Sequence, residues 1–356
     1  MYRTTEKEGE NGMAKLSDKI TLSNLELKNR IVMPPMCQYS VDAEDGTPNE
    51  WHYVHYVSRA VGGTGLIIME MTNVEPDGRI TNRCLGLWSD EQIPAYKRIV
   101  DECRRYGAKV GVQIAHAGRK ATDAAVPVSS SPIPVEPEGW KTPRELATEE
   151  AEAQVELFRQ AARRAVEAGF DTIELHGAHG YLIHQFHSPS LNHRTDKYGQ
   201  DKMLFGCEVI RAVKEVLPEG MPLVMRISAM EYIAGGYDLD YGAELARRYQ
   251  EAGVEVFDVS SGGEAPPDGD LKPGNYPAYQ APMARRIKEA TGLPVIAVGM
   301  LDEPEVAAAV VGTADADLAA VGRAMLRNPY WAVDAILKTE GGRTEQAPYK
   351  RGYPLR

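Results

Sequence analysis

Short, almost wholly apolar runs alternate along this chain with longer segments in which apolar residues return every three or four positions. Eight runs have strand length: Arg30–Met33, Gly65–Met69, Lys109–Ile114, Thr172–Leu175, Leu223–Ile227, Val256–Val259, Val295–Val298 and Leu318–Val321. Their near-continuous hydrophobicity is what parallel strands covered on both faces require. The amphipathic stretches predict helices at Trp51–Val61, Gln92–Tyr106, Thr148–Ala168, Cys207–Val216, Tyr241–Ala252, Ala281–Ala290 and Glu303–Val311. Thr148-Glu149-Glu150 supplies a polar cap and an acidic first turn, and Gly169 a stop before the next strand.

Eight such units predict the α/β class and a single closed (β/α)8 TIM barrel. A doubly wound sheet fits less well, because Met33-Pro34-Pro35-Met36-Cys37 follows the first strand where a G-x-G-x-x-G turn belongs. Ahead of the barrel, Lys19-Ile-Thr-Leu22 and Leu25-Glu-Leu-Lys28 flank Ser23-Asn24, which predicts a β-hairpin cap plugging the barrel's bottom. Residues 122–144 and 262–277, rich in Pro, Ser and Gly, read as loops rather than linkers. The expected division is a disordered N-terminal tail over 1–15, the barrel over 16–340 and a C-terminal tail over 341–356.

Composition then narrows the classes. A chain of 356 residues with 43% hydrophobic content can fill a large core. A net charge of −11 opposes binding to nucleic acid or to an anionic membrane. Cys37, Cys84, Cys103 and Cys207 stand far apart with no C-x-x-C pair, so neither a zinc ribbon nor an iron–sulfur centre is indicated. Free thiols fit a reducing compartment, and the charged N-terminus lacks an apolar signal core, so a cytoplasmic protein is expected.

A barrel gathers the residues just past each strand's C-terminal end onto one face. After the fourth strand comes His176-Gly-Ala-His179-Gly-Tyr181, with two imidazoles and a phenol in six residues. Both rings can offer N–H donors to one oxygen, and Tyr181 can supply a proton nearby. His184 and His187 follow and keep metal binding open, although no Asp, Glu or Cys stands among them at zincin or deaminase spacing.

The other strand ends add Cys37, Met71-Thr72, Gln113, His116, Arg226, Ser260-Ser261-Gly262-Gly263, Gly299 and Gly322-Arg323. Glycines in the last two loops admit backbone N–H groups to a phosphate, and a helix N-terminus beyond attracts anions. Arg226 ends an apolar strand, where an unpaired guanidinium is costly, so it should face an anion, a carbonyl-rich ligand or a structural carboxylate. Gln113 can donate and accept at once, which suits the edge of a ring bearing N–H and C=O groups. Phosphate at one end and such an edge at the other imply flavin mononucleotide.

These motifs carry a resemblance. Asn29-Arg-Ile-Val-Met-Pro-Pro-Met-Cys-Gln-Tyr-Ser40, His176–Phe186 with Ser188-Pro189, and Val321-Gly-Arg-Ala-Met-Leu-Arg-Asn-Pro-Tyr330 resemble the Old Yellow Enzyme family of FMN-dependent ene-reductases, in its thermophilic-like bacterial branch. The resemblance implies that NADPH or NADH reduces FMN and that flavin N5 delivers hydride to the β-carbon of an α,β-unsaturated carbonyl or nitro compound. By it, His176 and His179 bind the substrate oxygen, with His176 also beside the flavin, and Tyr181 protonates the α-carbon. Pro35, Met36, Cys37, Met71, Gln113, Arg226, Gly299, Gly322 and Arg323 map to the cofactor, with Cys37 tuning its potential. Tyr39 maps to the substrate pocket, and Arg351 to an arginine that enters a neighbouring subunit's site, which implies a homodimer or a tetramer of dimers.

Two departures stand out: the segment after Gly199 looks shortened, so the next helix should start differently, and Met71 replaces a small residue beneath the flavin. A metal-dependent barrel hydrolase and a non-catalytic flavin-binding protein are the alternatives.

Overall fold

The structure, a computed structural model, describes residues 12–353 apart from Asp270. The expected disordered tail therefore lies largely outside the described residues. Eight parallel strands close on themselves: Ile31–Met33, Leu66–Asn73, Lys109–Ala115, Thr172–Gly177, Leu223–Ser228, Val256–Ser260, Val295–Ala297 and Leu318–Ala320. The seam is made where Ala319 pairs with Ile31 and Val32 with Leu66. This is the (β/α)8 barrel that the repeating apolar runs predict.

The hairpin forms from Ile20–Leu22 and Leu25–Leu27, paired antiparallel through a turn in which Ser23 takes positive φ. Its Leu22, Leu25 and Leu27 pack with Val32, Leu66, Val224, Val256, Ile296 and Leu318 inside the barrel. Three buried leucines stabilise this closure by about 1.5–3 kcal/mol each. The plug leaves the opposite, C-terminal rim of the strands as the open end.

The helices differ from expectation in instructive ways. The helix at Thr148–Ala168 takes Ala147, not Thr148, as its cap; the Glu150 carboxylate accepts from the Ala147 amide, and the Thr148 hydroxyl donates to Asp196. Gly169 ends it at φ +89, as read. The helix expected at Cys207–Val216 spans Leu204–Lys214 and so starts at Leu204, because Asp201 turns the chain by accepting from the Met203 amide. The eighth helical unit is split into Arg323–Arg327 and Trp331–Glu340. Pro329, which has no N–H, and the Asn328 side chain, which accepts from the Tyr330 amide, make that break.

The second strand carries a register shift between Met69 and Thr72. Such a bulge re-aims side chains, and it contains Glu70 and Met71, both buried.

Candidate active site

The fourth strand ends by turning sharply over its own rim. Residues 178–181 reverse direction with His179 at φ +58 and Gly180 at φ +69, and a helix begins at Leu182. The Ser228 hydroxyl, on the adjacent strand, pins the turn by accepting from the His179 amide at 3.0 Å. This packs the three candidate rings together. The centroids of His176 and His179 are 5.2 Å apart and those of His176 and Tyr181 4.7 Å, both edge to face.

Both histidines are held well below the ordinary imidazole range, first by burial and next by the positive charge of Arg226. They are therefore neutral at physiological pH, and each carries one N–H. In His176 the Ala178 amide donates to Nδ1 at 3.2 Å, so the proton sits on Nε2, which has no partner among the described residues. In His179, Nε2 lies 2.7 Å from the Ser260 hydroxyl and Nδ1 is left open.

The Tyr181 hydroxyl is pushed up by burial, then by Cys37 and Tyr39, so it keeps its proton until a strong base appears. Lys120, which the sequence reading missed, stands behind it with Nζ 5.6 Å from the ring centroid and donating to the His179 carbonyl at 2.9 Å. Burial lowers the Lys120 ammonium to about 8.

Across from these rings, the loop after the first strand brings in Cys37 and Tyr39. Tyr39 has φ +51 and is 43% exposed, a strained backbone that leaves its ring at the mouth. The Cys37 thiol is raised by burial and then by the Glu70 carboxyl, so it is no thiolate. Met71 is buried and packs with Cys37, Tyr181, Ala115 and Ala117.

A cavity of about 280 Å3 opens beside this loop, lined by Pro34, Pro35, Met36, Arg226, Gly299, Gly322 and Arg323 among others. Gly299 has φ +116, and a Cβ there would meet the Gln280 side chain at 2.6 Å. The following helix, Arg323–Arg327, has only five residues, so an anion here would rest on backbone N–H groups and Arg323 more than on a helix dipole. Asp302 also lines the cavity, its carboxylate held by Arg327 at 2.8 Å. Deeper in the barrel, Gln113 is 2% exposed and donates to Glu174 at 2.7 Å.

Not every candidate gathers here. Arg351 is exposed in the terminal turn Ala347–Gly352 and is not among the residues lining its own chain's cavity. His116 is tied to Glu75 at 2.8 Å. His184 bonds Glu231 at 2.8 Å through Nε2 while its Nδ1 lacks a partner, and His187 bonds the Tyr249 hydroxyl at 2.9 Å; both are buried in the core. The only metal-sized grouping among the described residues, His184 with Glu231 and Glu264, leaves out His176, His179 and His187.

Residues 15–340 match the NADH:flavin oxidoreductase / NADH oxidase family. The NADPH dehydrogenase of Listeria monocytogenes serotype 4a (strain HCC23) is 45% identical over 346 residues, covering 96% of this chain and all of that one. The NADPH dehydrogenase of Geobacillus thermodenitrificans (strain NG80-2) is 44% identical over 338 residues, covering 94% of this chain and 97% of that one. The chain belongs to this family, of Old Yellow Enzyme type. Among solved structures, morphinone reductase superposes with a TM-score of 0.80 at 27% identity, over 93% of this chain and 91% of that one. The same enzyme in complex with tetrahydroNAD gives 0.77.

Membership makes the chain an oxidoreductase with FMN as its cofactor and a nicotinamide nucleotide as its reductant. The donor set fits FMN. Arg226 is nearly buried, lines the cavity and has no aligned hydrogen bond within the protein, with Nε among the orphaned buried atoms. Beyond its bond to Glu174, the Gln113 amide has a second N–H and a carbonyl to offer. Glu174 and Asp258, buried beside Gln113 and Arg226, were not singled out from sequence, and Ser260 was read only as a strand-end residue. Glu174 and Asp258 had the same signal as Arg226, a charge inside an apolar strand.

Proposed function

We propose that the protein is an NAD(P)H-dependent ene-reductase that reduces the C=C bond of α,β-unsaturated carbonyl or nitro compounds. The observation that carries this reading is the meeting of two neutral imidazoles and one protonated phenol at the rim beside the cofactor cavity. FMN, when bound, supplies the two-electron transfer to the β-carbon.

The chain's own groups would do the rest. His176 Nε2–H and the open nitrogen of His179 would bind the substrate oxygen and polarise the alkene, a preorganised donor pair of the oxyanion-hole kind. Tyr181 is the acid: its raised affinity for its proton suits release to the strongly basic α-carbon as charge builds there. Met36, Pro35, Gly322 and Arg323 would enclose the cofactor, Arg226 and Gln113 would meet its polar ring edge, and Cys37 and Met71 would lie beside the ring. Tyr39 would close the substrate's open side.

The tail over 341–356 would lie at a subunit interface in a homodimer or a tetramer of dimers, carrying Arg351 into a neighbour's site. The exposure of Arg351 and Tyr349 supports this. A cytoplasmic location is supported by four free cysteines, and no helix among the described residues is long and apolar enough to cross a membrane.

Anaerobic mixing tests the reading. NADPH should bleach the flavin and an enone such as cyclohexenone should recolour it with uptake of two reducing equivalents. Bleaching without recolouring across a panel of enones and nitroalkenes would leave a flavin-binding protein without this activity.

A further inference from the structure

Four polar side chains occupy one half of the barrel interior beneath the candidate ring edge. Gln113 and Glu174 are register partners on the third and fourth strands, and Arg226 and Asp258 on the fifth and sixth. The other half of the interior is apolar, with Val32, Ile68, Ile296 and Ala320 among its members. Glu174 and Asp258 are both 0% exposed, and Arg226 only 8%.

The charges in this layer do not balance as drawn. Two carboxylates face one guanidinium, and an uncompensated buried charge costs several kcal/mol. The hydrogen bonds do not close either. Gln113 Nε2 donates to Glu174 Oε1, but Glu174 Oε2 and both oxygens of Asp258 lack a donor; Arg226 Nε approaches Asp258 to 3.2 Å without alignment. One added proton balances the charge and joins Glu174 Oε2 to one Asp258 oxygen, leaving the other Asp258 oxygen to the Arg226 guanidinium.

We propose that Glu174 and Asp258 form a carboxyl pair sharing one proton, carried by Glu174 and donated to Asp258, and that this pair positions Gln113 and Arg226 for the cofactor. The protonated Glu174 supplies the missing donor, Asp258 becomes the single anion, and with Arg226 the layer is neutral. Burial raises both acids; the Asp258 charge raises Glu174 further, whereas Arg226 and the bond from Glu174 favour the ionised form of Asp258. Glu174 Oε1 accepts from the Gln113 amide nitrogen, which leaves the Gln113 carbonyl free to face the ring. Asp258 occupies the Nε side of Arg226 and leaves its terminal nitrogens for the cofactor. The proton also limits the negative charge below a cofactor that gains negative charge on reduction.

The inference rests on the FMN reading of the site, and its test separates the two. Midpoint potentials of bound FMN are measured in the unmodified protein, Glu174→Gln, Asp258→Asn and the double variant. Either single change leaves one carboxylate, since Glu174 ionises when Asp258 loses its charge. Each single variant should then stay within threefold of the original oxidised-to-reduced ratio. The double variant leaves Arg226 uncompensated and should favour the reduced form by more than tenfold, about 30 mV for a two-electron couple.

If both acids were ionised, each single variant would raise the potential alone and the effects would add; that result overturns the proposal. Infrared difference spectra of the apoprotein give a second measure, independent of flavin. A protonated-carboxyl band at pH 8 should vanish in Glu174→Gln, and its absence from the unmodified protein also overturns the proposal. Failure of the unmodified protein to bind FMN would instead remove the reading of the site, with the infrared result still deciding the proton.

Discussion

Tyr56 and Glu70 are joined by two hydrogen bonds running in opposite directions: the Glu70 amide donates to the Tyr56 hydroxyl at 2.9 Å, and that hydroxyl donates to Glu70 Oε1 at 3.0 Å. The second carboxyl oxygen accepts from the Gln38 amide at 2.7 Å, between Cys37 and Tyr39. Burial pushes Glu70 up to about 7 in spite of these donors. His52, 3.6 Å away, is lowered by burial to about 4, so it brings no compensating charge.

The folded state therefore binds this proton more tightly than the unfolded chain does. Its contribution to stability is fully present below the unfolded value of 4.5 and is lost as pH rises through about 7. The size is about 3 kcal/mol, from a shift of about 2.5 pKa units at 1.36 kcal/mol per unit. Glu70→Gln should flatten the pH dependence of stability over this window relative to the unmodified protein. Parallel curves for the two proteins in urea titrations from pH 4.5 to 8 would refute the assignment.

Ser260 governs which nitrogen of His179 carries the proton. The Ser261 hydroxyl already donates to Gln280 Oε1 at 2.7 Å, whereas Ser260 reaches that atom only at 3.3 Å. Ser260 is thus free to donate to His179 Nε2, and the imidazole proton is left on Nδ1, the open nitrogen. Ser260→Ala should weaken binding of a phenol or enone by about 1 kcal/mol, roughly fivefold, the net worth of one hydrogen bond. FMN content should be unchanged. Equal dissociation constants for the two proteins would show that His179 needs no such partner.

The parts legible in the sequence are those set by local pattern. Eight apolar runs located all eight barrel strands, because parallel strands buried on both faces need side chains such as those of Leu66–Met69 and Leu223–Met225 on each side. The hairpin was legible from two leucine-bearing runs around Ser23-Asn24. The rim chemistry of His176, His179 and Tyr181 was legible because it lies within six residues on one turn.

Contacts across strands were not. Glu174, Arg226 and Asp258 are separated by 52 and 32 positions, and only strand register makes them neighbours. Ser260 came into view as a strand-end residue, but its bond to His179 spans 81 positions. The cap at Ala147 escaped for another reason, since Ala147 has no capping side chain and the Glu150 carboxylate accepts from the Ala147 amide.

Tyr181→Phe separates the two half-reactions. The change removes a proton donor but keeps the ring that packs 4.7 Å from His176. Reoxidation of the reduced flavin by an enone should slow by about 10²-fold or more, the scale of general-acid catalysis. Reduction by NADPH, which needs no proton from this group, should change by less than about threefold on the same scale. Stopped-flow traces with both half-reactions slowed equally would point to a displaced loop instead of a lost acid.

Gly180 is where the fold and the chemistry constrain each other most closely. It sits at φ +69, and a Cβ there would lie 2.7 Å from the Glu264 Cα and 2.9 Å from its carbonyl oxygen. Both neighbours are backbone and have little room to give way. Gly180→Ala must therefore push residues 178–181 away from the 262–264 loop, moving His179 and Tyr181 on either side of it. The backbone strain alone is about 1–3 kcal/mol. The variant should melt lower, with its loss of enone reactivity far exceeding that of FMN content, because the cavity at Gly299 and Gly322 lies on other loops. Loss of FMN in proportion to activity would mean that the turn supports the whole rim and not the substrate side alone.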